Sequence, residues 1–249
     1  MKRILHMIVL MNILTAPGLA AAKGGGQHGD DDKKHGEGHG EGHGGAHHAD
    51  PAAPGQHHAM PHRFEDAEAW AKRFDDPSRD AWQRPAEIVA LMQLQPGMTV
   101  ADLGAGTGYL LPHLARAVSP GGTVLGLDVE PNLVAYMNAR AAKEGLAGVE
   151  ARLIPFDGPG LEAGSVDRLV TVNTWHHLGD REAYSKKLKA ALKPGGTLTI
   201  VDYTMEAEDG PPKDHRVPPE QILAELRAGG FTAAVVEESL PKQFIIVAR

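Results

Sequence analysis

From residue 98 onward, short runs rich in β-branched residues alternate with stretches of helical periodicity, and that alternation leaves few folds open. "MTVADL" (98–103) reads as a buried strand and 108–118 as a helix. "GTVLGLD" (122–128) is the next strand, and Pro131 opens a helix that runs to about Glu144, where Gly145 stops it. "GVEARLIP" (148–155) and "SVDRLVTVN" (165–173) are a third and a fourth strand. A helix over 180–192 and a fifth strand, "GGTLTIVDY" (195–203), follow. "PPEQILAELRAGGF" (218–231) is an amphipathic helix that ends at Gly229 and Gly230. Strand, helix, strand at this spacing makes parallel pairs joined by crossovers, with helices on both faces of one sheet. The closing runs, "FTAAVVEES" (231–239) and "KQFIIVAR" (242–249), have too little chain between them for a crossover, so they pair antiparallel. The expected fold class is α/β: a doubly wound, seven-stranded, mostly parallel sheet with an antiparallel last strand.

Between the first strand and its helix lies "DLGAGTGY" (102–109). Gly104, Gly106 and Gly108 let the chain turn tightly and let a ligand approach the backbone, and N–H groups at the start of a helix face such a ligand. A dinucleotide fingerprint, G-x-G-x-x-G, would require glycine where Tyr109 stands, which disfavours a dinucleotide-dependent oxidoreductase. The pattern is instead D-x-G-x-G-x-G. Asp102, at the strand end, can accept hydrogen bonds from an ammonium group, and Asp128, at the next strand end, can take two ribose hydroxyls.

These residues, with "LKPGGTLTIVD" (192–202), resemble the class I S-adenosylmethionine-dependent methyltransferases, whose fold is a Rossmann-like sheet with a reversed seventh strand. "RFDDPSRDAWQRPAEI" (73–88) and "GPPKDHRVPPEQILAELRAGGF" (210–231) look like an exported bacterial branch near the quinone-methyltransferase-like group. The resemblance covers about 63–249. It implies S-adenosylmethionine as cofactor, with Gly104, Gly106 and Gly108 around its methionine portion and Asp102 on the ammonium. It further implies Asp128 on the ribose, Val129 beside the adenine, Asp157 at the adenine amino group and Asn173 beside the sulfonium. Asp157 sits in "PFDGPG" (155–160), which departs from the family's short acidic loop, and turn chemistry alone accounts for both Asp157 and Asn173. The implied reaction is methyl transfer to a small-molecule acceptor by in-line displacement.

Proximity supplies much of such a displacement, and a base is needed only where the acceptor must lose a proton. "NTWHHL" (173–178) puts His176 and His177 at the crevice end of the fourth strand, where either can be that base or can cap the helix that follows. His113 reads as a surface or packing residue. "DHR" (214–216) reads as a solvated acid–base loop or a group reaching over the substrate side, and "KKLK" (186–189) as a solvated helix face. Ahead of the sheet, Pro85 starts a helix to Leu94, and Trp70, Phe74 and Trp82 are apolar anchors. They either pack helices on the sheet or cover the crevice.

Residues 1–22 carry the marks of a cleavable signal peptide. Lys2 and Arg3 precede the apolar stretch from Ile4 to Leu14, Pro17 and Gly18 break it, and Ala20, Ala21 and Ala22 offer a cleavage site. The apolar run falls short of the roughly 20 residues of a spanning helix. This predicts a periplasmic or secreted chain; a start site assigned too far upstream would leave it cytoplasmic, and an uncleaved segment would anchor it. Residues 23–62 are dominated by glycine and histidine, with His28, His35, His39, His43, His47, His48, His57, His58 and His62. Such a stretch cannot bury enough surface to order itself; it serves as a solvated linker or as a weak divalent-metal chelator. The tail supports an alternative function, a catalytically silent Rossmann-like domain that binds metal through its histidines. With no cysteine there is no disulfide scaffold. A net charge of −7 without a basic stripe disfavours nucleic-acid partners. Only 5% of residues are aromatic, so no stacking platform stands out for a flat acceptor.

Overall fold

The computed structural model describes residues 66–249. The signal segment and the histidine-rich tail lie outside the described residues. Three short helices come first: α1 (Ala67–Phe74), α2 (Arg79–Gln83) and α3 (Pro85–Leu91). Then come β1 (Thr99–Leu103), α4 (Leu111–Val118), β2 (Thr123–Asp128), α5 (Pro131–Glu144), β3 (Val149–Leu153) and β4 (Val166–Val172). A 3-10 turn (Trp175–His177), α6 (Arg181–Ala191), β5 (Leu192–Tyr203), a second 3-10 turn (Lys213–His215), α7 (Pro219–Ala228), β6 (Ala233–Val236) and β7 (Gln243–Ala248) complete the chain.

The seven strands form one sheet in the order β3-β2-β1-β4-β5-β7-β6, and β7 runs antiparallel to both β5 and β6. This is the expected seven-stranded, mostly parallel architecture, with the reversed strand one place in from the edge. Two apolar layers flank it, because successive side chains of a strand point to opposite faces. Val100 packs with Ile88, Leu114 and Met137 from α3, α4 and α5; Ala101 and Leu103 pack with Leu188, Ile222 and Leu226 from α6 and α7. The chain order reverses between β1 and β4, and open α/β sheets bind ligands outside the carboxyl ends of their strands at such a point. The backward β7 brings Gln243 beside Tyr203, the last residue of β5, at this same edge.

Several elements are shorter than the sequence pattern implies. The helix expected at 108–118 begins at Leu111, because the glycine loop still turns at Gly108 and Pro112 suits only a first helical turn. The helix expected to reach Leu94 stops at Leu91, and Gln93 beyond it has φ +52°. Trp70, Phe74 and Trp82 are only partly buried and are not core anchors. They belong to α1 and α2, which lie over the loops at the sheet edge; of the three helices, α3 supplies the core residue Ile88.

"DHR" is a corrected reading at Arg216, which is buried and solvated by backbone. Its guanidinium donates to the carbonyls of Pro211, Thr204, Ala207 and Asp209, so it ties down the loop after β5. In "KKLK", Leu188 is fully buried, while Lys186 and Lys187 are exposed.

Candidate active site

Three strands end in aspartate at the switch edge: Asp102 near the end of β1, Asp128 closing β2 and Asp202 near the end of β5. All three are buried. They differ in what satisfies them, and that difference organises the site.

Asp128 is held by backbone. Its oxygens accept from the N–H groups of Gly106 (2.9 Å) and Glu130 (3.0 Å), leaving further lone pairs on each oxygen. Burial pushes its carboxyl above the usual range, and these backbone donors work against the shift. Asp102 accepts no hydrogen bond from any described residue. Burial pushes it up to about 7; the nearby Arg79 cation opposes the shift and the Asp128 charge adds to it. A buried carboxylate without a donor is costly, and a cationic ligand group is what would relieve it.

The glycine loop runs between these two acids. Gly104 has φ +70°, and a Cβ there would fall 2.3 to 2.9 Å from the side chain of Thr174, the second residue beyond β4. Only glycine lets the two loops approach so closely. Gly106 has φ +61° and is nearly open, a Cβ meeting only the Phe74 ring at 3.7 Å. Gly108 is buried, with Leu111 and Met137 in the place its Cβ would take. Val129, beyond Asp128, is partly buried against the core.

The N-terminal helices sit on this loop. Asp75 accepts from the Thr107 hydroxyl (3.0 Å) and pairs with Arg140 (3.1 Å), while Asp80 accepts from the Tyr109 hydroxyl. Gln83 is fully buried and joins a ring of three amides. It donates to Gln243, Gln243 donates to Asn173, and Asn173 donates back to Gln83 at 3.3 Å. Asn173 has φ +57°, a conformation asparagine tolerates, so its side chain turns back into this ring. Of the two arrangements open to the N-terminal segment, α1 and α2 therefore take the position over the crevice.

The two histidines separate here. His176 directs Nδ1 at both oxygens of Asp202 (2.9 and 3.0 Å), and its backbone N–H also donates to Asp202. That fixes the imidazole and leaves Nε2 as its other functional atom. His177 is exposed, its ring 4.1 Å from that of His176. Asp157 stands apart from the loop acids: it is exposed, and Lys187 of α6 pairs with it at 2.8 Å. His113 is partly buried near the Tyr109 ring, in keeping with a packing role.

Arg79, Gln83, Asp202 and Gln243 are site-edge residues that the motif reading passes over. Asp202 has a signal in the sequence, being an acid at the end of an apolar strand like Asp102 and Asp128. Trp82 and Tyr203, with ring centres 6.3 Å apart, also provide aromatic surface here despite the low aromatic content. Among the described residues no group of three histidine, aspartate, glutamate or cysteine side chains could hold a metal ion.

A parallel switch-point crevice with a glycine loop after β1 and an acid closing β2 defines a nucleotide-binding α/β domain. Residues 94–234 match the family model described as "Methyltransferase domain", and the chain belongs to that family. It is 31% identical over 153 residues to the nocamycin O-methyltransferase of Saccharothrix syringae, covering 61% of this chain and 51% of that one. It is 27% identical over 133 residues to the arsenite methyltransferase of Halobacterium salinarum, covering 53% and 34%. The chain thus spans about half or less of these curated relatives. The crystal structure of an S-adenosylmethionine-dependent methyltransferase from Aquifex aeolicus superposes with a TM-score of 0.68 at 30% identity, over 72% of this chain and 96% of that one. The donor-free Asp102 carboxylate and the open face of Gly106 fit S-adenosylmethionine, the cofactor of this class, whose amino-acid end brings an ammonium.

Proposed function

We propose that this protein transfers the methyl group of S-adenosylmethionine to a small-molecule acceptor, and that His176 accepts the proton the acceptor gives up. Bound in the crevice, the cofactor supplies a methyl carbon already activated as a sulfonium. Asp102 would take its ammonium, Asp128 the ribose hydroxyls and the backbone at Gly104 and Gly106 the chain between them. Gly108 supports the loop from beneath through Leu111 and Met137. Val129 would border the adenine. Asp157 would need to leave Lys187 to reach the adenine amino group, and Asn173 would border the reacting centre through its backbone while its amide stays in the ring.

The observation that carries the acid–base part is the His176–Asp202 pair. A carboxylate on Nδ1 fixes the tautomer with Nε2 free to accept a proton and stabilises the imidazolium that results. The acceptor's oxygen or nitrogen would bond to the methyl carbon as the carbon–sulfur bond breaks, S-adenosylhomocysteine would leave as a neutral thioether with the electron pair on sulfur, and the proton of the acceptor's O–H or N–H would pass to Nε2. The 31% identical relative is by name an O-methyltransferase, which supports an acceptor of the kind that must lose a proton.

The test uses the full chain, S-adenosylmethionine labelled at the methyl group, and a panel of hydroxylated and amino small molecules. Transfer to one of them, with His176→Ala and Asp202→Asn each lowering kcat about 100-fold or more and His177→Ala within a few-fold, is the expected result. Unchanged turnover in His176→Ala, with cofactor binding intact, removes the base. We also read residues 63–249 as the catalytic domain and residues 1–22 as an export signal, which supports a periplasmic or secreted setting. Sequencing the N-terminus of the mature chain checks that reading.

A further inference from the structure

Arg79, the first residue of α2, carries a charge that no described carboxylate neutralises by contact. Other arginines are paired: Arg140 with Asp75 and Glu144, and Arg181 with Glu225. The Arg79 guanidinium lies 3.9 Å from the centre of the Tyr109 ring, over the residue that ends the glycine loop. Nη1 donates to the Phe74 carbonyl at 2.6 Å, while Nε and Nη2 share Gln83 Oε1 at 3.4 and 3.2 Å. One N–H on each terminal nitrogen is left over, and a guanidinium with two donors to spare suits a carboxylate. The side chain is partly buried, stacked and hydrogen-bonded, so little conformational freedom remains to be lost when an anion arrives.

The position follows from the contacts of α2. Just ahead of it, Phe74 covers Gly106 and Asp75 binds Thr107. Asp80 binds Tyr109, and at its far end Gln83 meets Asn173 beyond β4. Arg79 is therefore suspended between the glycine loop and the end of β4, and Asp102 is the buried acid beneath. The amino-acid end of the donor carries two charges on one carbon. An ammonium at Asp102 necessarily brings a carboxylate within a few ångströms of a buried anion, and that arrangement is repulsive unless a cation faces it.

We propose that Arg79 binds the α-carboxylate of S-adenosylmethionine, so that the amino-acid end is held between two opposite charges, Asp102 and Arg79. The proposal rests on the cofactor reading above and assigns a role to a residue outside the glycine loop. It also gives α2 a function: the ring of amides at Gln83 sets the height of Arg79 over the crevice.

The experiment is calorimetric titration of the full chain with two product analogues, S-adenosylhomocysteine and its decarboxylated form, which keeps the ammonium and lacks the carboxylate. Wild-type protein should bind the first about tenfold or more tighter, the usual worth of a charge-assisted pair. In Arg79→Met the preference for S-adenosylhomocysteine should vanish or reverse, the loss falling on S-adenosylhomocysteine alone. Arg79→Lys, which keeps the charge without the fork, should lie between. A merely structural Arg79 would weaken both compounds equally in Arg79→Met, and that result overturns the proposal, as does retained discrimination in a variant whose melting profile matches wild type. If Arg79→Met fails to fold, the same comparison is read from Arg79→Lys. Wild-type protein that binds neither compound would overturn the cofactor reading itself, a result distinct from the loss of discrimination.

Discussion

Replacing Asp102 with asparagine is expected to abolish binding of S-adenosylhomocysteine and, at the same time, to raise the melting temperature of the ligand-free protein at pH 8 by at least about 3 °C. Both effects have one cause. The carboxyl is nearly fully buried without a donor, and burial lifts it from 3.8 to about 7. Between those values the folded chain holds a proton that the unfolded chain has released, so stability falls as pH rises through the window, and above pH 7 the whole cost is present. Asparagine carries no charge to desolvate and escapes that cost. The ligand ammonium, by contrast, needs the ionised form. Affinity of wild-type protein should therefore fall about tenfold per pH unit below pH 7 as the carboxylate fraction shrinks. Two other charged groups face the same space: Arg79, a cation throughout that range, and Asp128, whose carboxyl burial also pushes above the usual carboxylate range. Melting curves and titrations between pH 5.5 and 8 read both predictions. An Asp102→Asn variant that binds as tightly as wild type, or is less stable at pH 8, would contradict this account. A variant that gains stability and loses binding together makes the position an instance of stability given up for a binding site.

The second large effect lies away from the crevice. Glu225 on α7 accepts from the indole of Trp175 (2.9 Å), from Arg181 (2.8 Å) and from Gln221 (3.0 Å). Arg181 and Glu225 are both buried, and Trp175 is fully so. The group ties the turn that carries His176 to two helices at once. Glu225→Gln keeps the shape and removes the charge, leaving the Arg181 guanidinium buried without a counter-ion. The expected loss is about 3–5 kcal/mol, or a fall in melting temperature of roughly 6–20 °C for a domain of this size. The double variant Arg181→Met with Glu225→Leu, which removes both charges, should recover much of the loss. A double variant no more stable than the single would show that packing, not the stranded charge, carries the effect.

The parts of this molecule that were legible in its sequence are those encoded by short-range pattern. β1, β2, β4 and β5 announce themselves by valine-, threonine-, leucine- and isoleucine-rich runs and β3 by its place between α5 and the next turn, Pro131 and Gly145 bracket α5 at the expected residues, and the short connection after β6 dictates its antiparallel pairing with β7. The glycine loop is legible because its chemistry is local, with Asp102 and the three glycines within seven residues. What was not legible depends on partners far apart along the chain. Gln83 and Gln243 are separated by 160 residues, and nothing near either marks it as the other's partner. His176 and His177 were indistinguishable as neighbours in one motif; Asp202, 26 residues on, separates them. Arg79 lay in plain view within "RFDDPSRDAWQRP", but an arginine among acids reads as an exposed pair until the fold shows those acids engaged elsewhere.

The ring formed by Gln83, Gln243 and Asn173 has a consequence for how this sequence can change. Each amide donates to the next and accepts from the last, so the three share one sense of rotation. Turning any one amide over sets oxygen against oxygen at the joint where it donated and nitrogen against nitrogen at the joint where it accepted. Replacing any one by its acid removes a donor and places a charge among buried oxygens. The three positions therefore form one epistatic unit drawn from the beginning, middle and end of the domain. A change at one would be tolerated only with matching changes at the other two, so the hold of α2 over the crevice is inherited as a set.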